Sequence, residues 1–366
     1  MIKNTKTHYA LAEDTADGGS SPLQRPSGAW LIAGSLVAAG LAAAALLNRR
    51  ATRLSEEASP PTGKFIQVSG VNLHYVDQGE GEPIVLLHGN GVLLQDFVAS
   101  RVVAELSKKH RVIAFDRPGF GYSARPKFTV WTPGAQAKVI AEAVRELGVQ
   151  RAVVLGHSWG TMAALAMALD EPELVSGLVL LSGYYYGTAR PDVLPLSVPA
   201  VPVLGSLLAH TILPLTGALT GPVGVKAAFA PAAVSDKIAQ LPVALTLRPS
   251  QIQATAADTA MMVPSAISLS QRYGELSLPV IIMAGAGDLI VHVSEHAERL
   301  ADELQGSELR VIPGQGHLFH YAVPERVAGA VSDVLRKTKC ERAGATILPI
   351  SEVPPETSPP ELLALK

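Results

Sequence analysis

The sequence predicts an α/β fold built on one mostly parallel, eight-stranded sheet with helices on both faces, and three observations carry that reading. Six short apolar runs, at 84–87, 112–115, 153–155, 178–181, 280–283 and 309–312, are separated by segments of helical spacing. Continuous apolar runs of this kind are what strands covered on both faces require. Ahead of them, residues 65–68 and 71–76 flank Ser69-Gly70 with β-type alternation, which predicts an antiparallel hairpin that starts the sheet. Finally, several runs end in glycine-containing polar loops, and in an open parallel sheet those carboxyl ends form the crevice where ligands bind.

Along the chain, residues 1–28 are rich in Ser, Gly, Pro and charge, a composition that predicts disorder. From Ala29 to Leu47 there is no charged residue, and a helix over 29–47 would be about 28 Å long against a hydrocarbon thickness of about 30 Å. A transmembrane helix is expected there, with a cleaved signal peptide and an Ala-rich soluble helix as rival readings. Arg49, Arg50 and Arg53 outweigh Arg25 on the other flank, which would leave the following domain on the cytoplasmic face. Residues 48–62, with Pro60-Pro61, read as a linker. The core should run over 63–182 and resume over 276–338; residues 136–147 show helical spacing that Gly148 would end. Between 183 and 275 the alternation of strand and helix stops, and that segment holds ten prolines and nine charged residues, so it reads as an insertion. The Pro-rich tail at 339–366 lacks periodicity and reads as disordered.

Composition excludes several classes. A formal net charge of −2 without a dense basic cluster lacks the footprint of a nucleic-acid binder. A single cysteine, Cys340, excludes an intramolecular disulfide and a cysteine-rich metal site.

The chemistry centres on Gly156-His157-Ser158-Trp159-Gly160, which follows a strand and leads into a helix. Glycines two residues either side of Ser158 allow the sharp turn that projects an exposed, strained serine; the plainer reading is a helix N-cap. A serine hydroxyl needs a base, and the base needs an orienting acid. Asp288 falls just beyond the run at 280–283 and His317 beyond that at 309–312, so both can meet Ser158 in the crevice. His88, His157, His292 and His320 compete for the base, but His157 reads as structural and His320 has no evident partner. Asp288 could instead merely cap the next helix. The loop His88-Gly89-Asn90-Gly91 follows another strand, and the backbone N–H groups of Asn90 and Trp159 are candidates for stabilising an oxyanion.

Together with Asp116-Arg117-Pro118-Gly119-Phe120-Gly121-Tyr122-Ser123, these motifs resemble the α/β-hydrolase-fold serine hydrolases over residues 64–337. The resemblance implies the triad order Ser158, Asp288, His317, a structural role for Asp116, and a cap formed by the insertion after Ser182. An apolar cap would exclude water and wall an apolar pocket, with Tyr184 and Tyr185 either lining it or packing as hinge aromatics. The function implied is a capped serine esterase, lipase-like, acting on apolar or lipid-like acyl substrates, with no metal and no organic cofactor. The region around Trp159 is also similar to haloalkane dehalogenases and epoxide hydrolases, but those need a carboxylate where this chain has Ser158. Perhydrolase and acyltransferase members of the fold stay open, as does a ligand-binding signalling protein with a vestigial triad. Bond type, substrate and oligomeric state are not specified by these residues.

Overall fold

A computed structural model describes residues 28–342. They fall into two compact units, one ending at Ala42 and one beginning at Ala43. Helix α1 (Gly28–Ala58) supplies all the described residues of the first and opens the second. The helix therefore does not stop at Leu47: the expected linker is helical through Ala58, because 48–58 hold good helix formers and the first breakers are Pro60-Pro61. Within the second unit, Asn48 Nδ2 donates to the carbonyls of His210 (2.9 Å) and Thr211 (2.7 Å). The expected disordered ends lie outside the described residues, except that Gly28 and residues 339–342 are helical.

The strands are β1 (Lys64–Val68), β2 (Val71–Gln78), β3 (Pro83–Leu87), β4 (Arg111–Phe115), β5 (Ala152–His157), β6 (Val175–Leu181), β7 (Val280–Gly285) and β8 (Glu308–Ile312). They form one sheet in the order β1-β2-β4-β3-β5-β6-β7-β8. The hairpin strands β1 and β2 are antiparallel, and β4, β3, β5, β6, β7 and β8 pair in parallel. β5, β6 and β7 are buried at every residue, as the unbroken apolar runs require.

After β3 come the short helices α2 (Gln95–Ala99) and α3 (Val102–Leu106); α4 (Pro133–Glu146) and α5 (Gly160–Asp170) flank β5. α4 starts as its sequence dictates, with Thr132 accepting from the Ala135 N–H at 3.1 Å and Pro133 in the first turn. Gly148 follows its end in the left-handed region at φ 76°.

Between β6 and β7 the described chain has helices and no strand: α6 (Val193–Ser197), α7 (Leu204–Thr211), α8 (Leu213–Phe229), α9 (Val243–Thr246) and α10 (Pro249–Ser270). The chain closes with α11 (Arg299–Glu303) and α12 (Pro324–Arg342). One face of the sheet is covered by α4 and α5 with Ile140, Val144, Met162 and Leu165. The other is covered by α3 and α12 with Val103, Leu106, Val327 and Val331.

Candidate active site

The sheet order sets which loops can meet. Strand β5 lies between β3 and β6, so the loop after β3 (His88 to Gly91) flanks the turn after β5. The loops after β7 and β8 carry Asp288 and His317 on neighbouring strands.

Ser158 sits on the turn between β5 and α5 with φ 52°, a left-handed conformation costing a non-glycine residue on the order of 1–3 kcal/mol. Its N–H donates to Leu181 O at 2.8 Å, and Thr161 Oγ1 donates back to Ser158 O at 2.6 Å, so the strain is held from both sides. The flanking glycines are needed for close approach. A Cβ on Gly156 would stand 2.6 Å from Gly160 O, and one on Gly160 would stand 2.2 Å from Leu87 O. Ser158 is not the residue that caps α5; Trp159 occupies that position.

His317 Nδ1 donates to Asp288 Oδ2 at 2.8 Å, and both residues are buried. That bond fixes the tautomer and leaves Nε2 as the basic nitrogen. Asp288 Oδ1 accepts from the N–H groups of Ile290 (2.8 Å) and Val291 (2.9 Å), so the carboxylate both orders its own loop and orients the imidazole. Burial pushes its pKa up, but His317 and the two N–H donors outweigh it and hold Asp288 below the usual carboxylate value. Ser158 and His317 are not joined by a hydrogen bond among the described residues.

Of the two oxyanion candidates, Trp159 follows Ser158 on the turn and Asn90 lies on the loop after β3. Neither the Asn90 nor the Trp159 N–H donates to a protein acceptor among the described residues. The Asn90 side chain is anchored on the insertion, with Nδ2 donating to Thr255 O (3.1 Å) and Thr259 Oγ1 (2.9 Å). A Cβ on Gly89 would lie 3.2 Å from Ser158 Cβ, which measures how closely this loop approaches the serine.

Sequence reasoning missed Arg117 as the organiser of this loop. The guanidinium is fully buried; Nε donates to His88 O (2.8 Å) and Nη2 to Gly89 O (3.0 Å). Nη1 donates to Gln136 Oε1 (2.8 Å) and Asp258 Oδ2 (2.6 Å). It also stacks between Phe120 and Trp159, 4.5 and 4.3 Å from their ring centres. Asp258, on α10, further accepts from Arg125 (3.0 Å) and Gln136 Nε2 (3.1 Å). His88 accepts from Arg117 N–H at Nε2 (3.0 Å) and donates from Nδ1 to Gly89 O (2.8 Å); burial and Arg117 hold its pKa far below the usual value. Asp116 has the structural role expected, accepting from His74 Nδ1 (2.7 Å), Leu94 N–H (2.9 Å) and Tyr122 N–H (2.9 Å).

His320, expected to be without a partner, has one: its Nε2 donates to Asp96 Oδ2 at 3.1 Å, while Tyr321 Oη donates to Oδ1 at 2.9 Å. The partner lies on α2, more than two hundred residues away, where no local pattern could point to it. His157 Nε2 donates to His317 O at 3.3 Å, tying the residue before the nucleophile to the backbone of the base. Asp96, His157 and His320 hold ligand-type atoms within 4.8 Å of one another. Since the Asp96 carboxylate already accepts from His320 and Tyr321, we read the trio as buried support for the histidine loop.

Tyr184 and Tyr185 are 1% and 0% exposed. Tyr184 packs against His296 with ring centres 4.5 Å apart and tilted by 40°, and Tyr185 accepts from Tyr273 Oη at its carbonyl (2.8 Å), so both pack at the start of the insertion. A cleft of about 400 Å³ beside the Asp288 loop is lined by Thr188, Arg190, Leu289, Ile290, His292 and His296; Ser158, His317, Asn90 and Trp159 do not line it.

Residues 82–203 match the family model described as the alpha/beta hydrolase fold. A thermophilic esterase from Thermogutta terrifontis superposes with a TM-score of 0.59 at 25% identity, over 75% of this chain and 99% of that one. The chain has the α/β-hydrolase fold. Among curated relatives, haloalkane dehalogenase 2 of Mycobacterium bovis is 33% identical over 127 residues, 35% of this chain. The 2-hydroxymuconate semialdehyde hydrolase of Pseudomonas sp. strain CF600 is 36% identical over 124 residues, 34% of this chain. The match spans 44% of the length of each of those relatives. The matched family segment holds the larger part of the core before the insertion and the start of the insertion, while Asp288 and His317 lie beyond it.

Proposed function

We propose that this chain is a serine hydrolase of carboxylic esters or related acyl compounds, apolar or lipid-like, working through an acyl-enzyme on Ser158. The observation that carries the reading is the buried Asp288–His317 pair at 2.8 Å, whose histidine carbonyl accepts from His157, the residue before a serine held at φ 52°. In this reading His317 Nε2 takes the Ser158 proton as Oγ bonds to the acyl carbon, and the Asn90 and Trp159 N–H groups receive the charge on the carbonyl oxygen. The proton passes to the leaving group, and water, deprotonated by the same nitrogen, releases the acid. Dehalogenation is disfavoured: attack of Ser158 on an alkyl halide would leave an ether, which this triad cannot hydrolyse.

Helix α1 contains one stretch long and apolar enough to cross a membrane. A signal sequence would pass the same test; we read it as a bilayer anchor because the helix continues without a break into Arg49, Arg50 and Arg53, which would face the cytoplasm.

A fluorophosphonate probe should label Ser158, and Ser158→Ala should abolish labelling and ester turnover together. Robust turnover by a folded Ser158→Ala protein would falsify the nucleophile assignment. Profiling the wild type on esters, thioesters, lactones and amides assigns the bond.

A further inference from the structure

From Val193 to Phe229 the only charged side chain is Lys226, and much of this apolar sequence faces outward. On α8, Leu215, Leu219 and Val223 are 64%, 71% and 71% exposed. Spaced four residues apart, they form one stripe along a single face of the helix. Water-soluble surfaces seldom carry contiguous apolar patches of this kind without a partner. Two further observations say what the partner is. Helical segments 193–200 and 204–211 are together apolar and long enough for a membrane segment but bend by 93° at the break between them. Val203 at that bend is 84% exposed with φ 64°, inside a tight turn closed by Leu204 N–H to Pro202 O at 2.8 Å. Glycine would relieve that backbone, whereas a branched apolar side chain at an exposed tip is suited to hydrocarbon.

The second observation fixes depth. Asn48 directly follows the uncharged run, and its side chain caps the last carbonyls of α7 just before α8 begins. When the run crosses a bilayer, Asn48 lies at its surface, and the start of α8 lies at the same level. Arg49, Arg50 and Arg53 are exposed immediately beyond it, matching a layer of anionic headgroups. We propose that the exposed stripe of α8 and the bend before α7 lie in the headgroup–acyl boundary of the leaflet that α1 enters. The insertion is then a second, interfacial membrane contact. The inference rests on reading α1 as an anchor.

The test uses the full chain with Cys340→Ser, in phosphatidylcholine vesicles containing phosphatidylglycerol. Single cysteines at Leu219→Cys, Val223→Cys, Leu36→Cys and Glu146→Cys carry an environment-sensitive fluorophore. Probes at 219 and 223 should shift to the blue, be quenched by acyl-chain nitroxide lipids and lose quenching by iodide, as the probe at 36 does; the probe at 146 should stay open to iodide. Lipid quenching at 36 with iodide quenching at 219 and 223 overturns the interfacial contact and leaves the anchor standing. Shielding from both quenchers with cross-linking between copies assigns the stripe to a dimer and also overturns it. If the probe at 36 is open to iodide, the anchor reading fails and the interfacial contact fails with it.

Discussion

Arg117 shows how one buried side chain can set a site it does not line. Its guanidinium reaches the two carbonyls of the His88–Gly89 loop, the Trp159 ring and the Asp258 carboxylate. A fully buried pair such as Arg117–Asp258 gains little over an apolar replacement, but removing one partner strands the other charge. Asp258→Ala should therefore cost about 3–5 kcal/mol in denaturant unfolding. A loss below about 1 kcal/mol would mean that Gln136 and the two loop carbonyls suffice to hold the cation. Asp258→Asn, which keeps an acceptor oxygen, should recover part of the difference.

At the scale of elements, the turn between β5 and α5 depends on two backbones touching. Gly160→Ala drives a methyl into Leu87 O, so neither the turn nor the loop after β3 can keep its place. We expect loss of fluorophosphonate labelling and a lowered melting temperature. Thr132→Ala at the start of α4 is the comparison: it should lower stability by about 1 kcal/mol and leave labelling unchanged. If Gly160→Ala labels like wild type, close approach is not what that glycine supplies. The strands and the turn were legible in the sequence because apolar runs and flanking glycines act locally. That Asp288 and His317 could meet was legible because the carboxyl ends of parallel strands lie along one edge of the sheet. What escaped was partnership across the chain: Asp96 with His320, and Arg117 with Asp258, are joined only by the fold. The continuation of α1 past Leu47 was missed for another reason, since the three arginines mark the end of an apolar stretch but not the end of a helix.

For the whole molecule, buried imidazoles set the acid side of stability. His296 accepts from Tyr185 N–H at 3.1 Å and is 2% exposed; burial first, then Arg190, pushes its pKa down to about 4. His157, through burial and its histidine neighbours, lies far below the usual value, as His88 does. For these groups the unfolded chain binds more protons, so their contribution is complete above about pH 6.5 and is lost as pH falls toward the folded pKa. His296 alone accounts for on the order of 3 kcal/mol between pH 6.5 and its folded pKa of about 4. Asp96, held to about 2 because His320 and Tyr321 outweigh the burial that would raise it, adds a separate loss below about pH 4. Unfolding midpoints should therefore drop between pH 7 and 5, before carboxylates titrate, and His296→Gln should flatten that slope; a flat wild-type profile over this range would refute the assignment. The Arg117–Asp258 pair also limits how the site can open. To swing α10 outward is to drag a desolvated cation and anion apart and to release the loop after β3 in the same motion. The C-terminal end of α8 is fastened too, through Ala228 O accepting from Leu318 N–H at 3.1 Å beside the histidine loop. The panel from α6 to α7 packs on that same α10, and Asn48 holds its last carbonyls, so any opening has to carry these anchors with it.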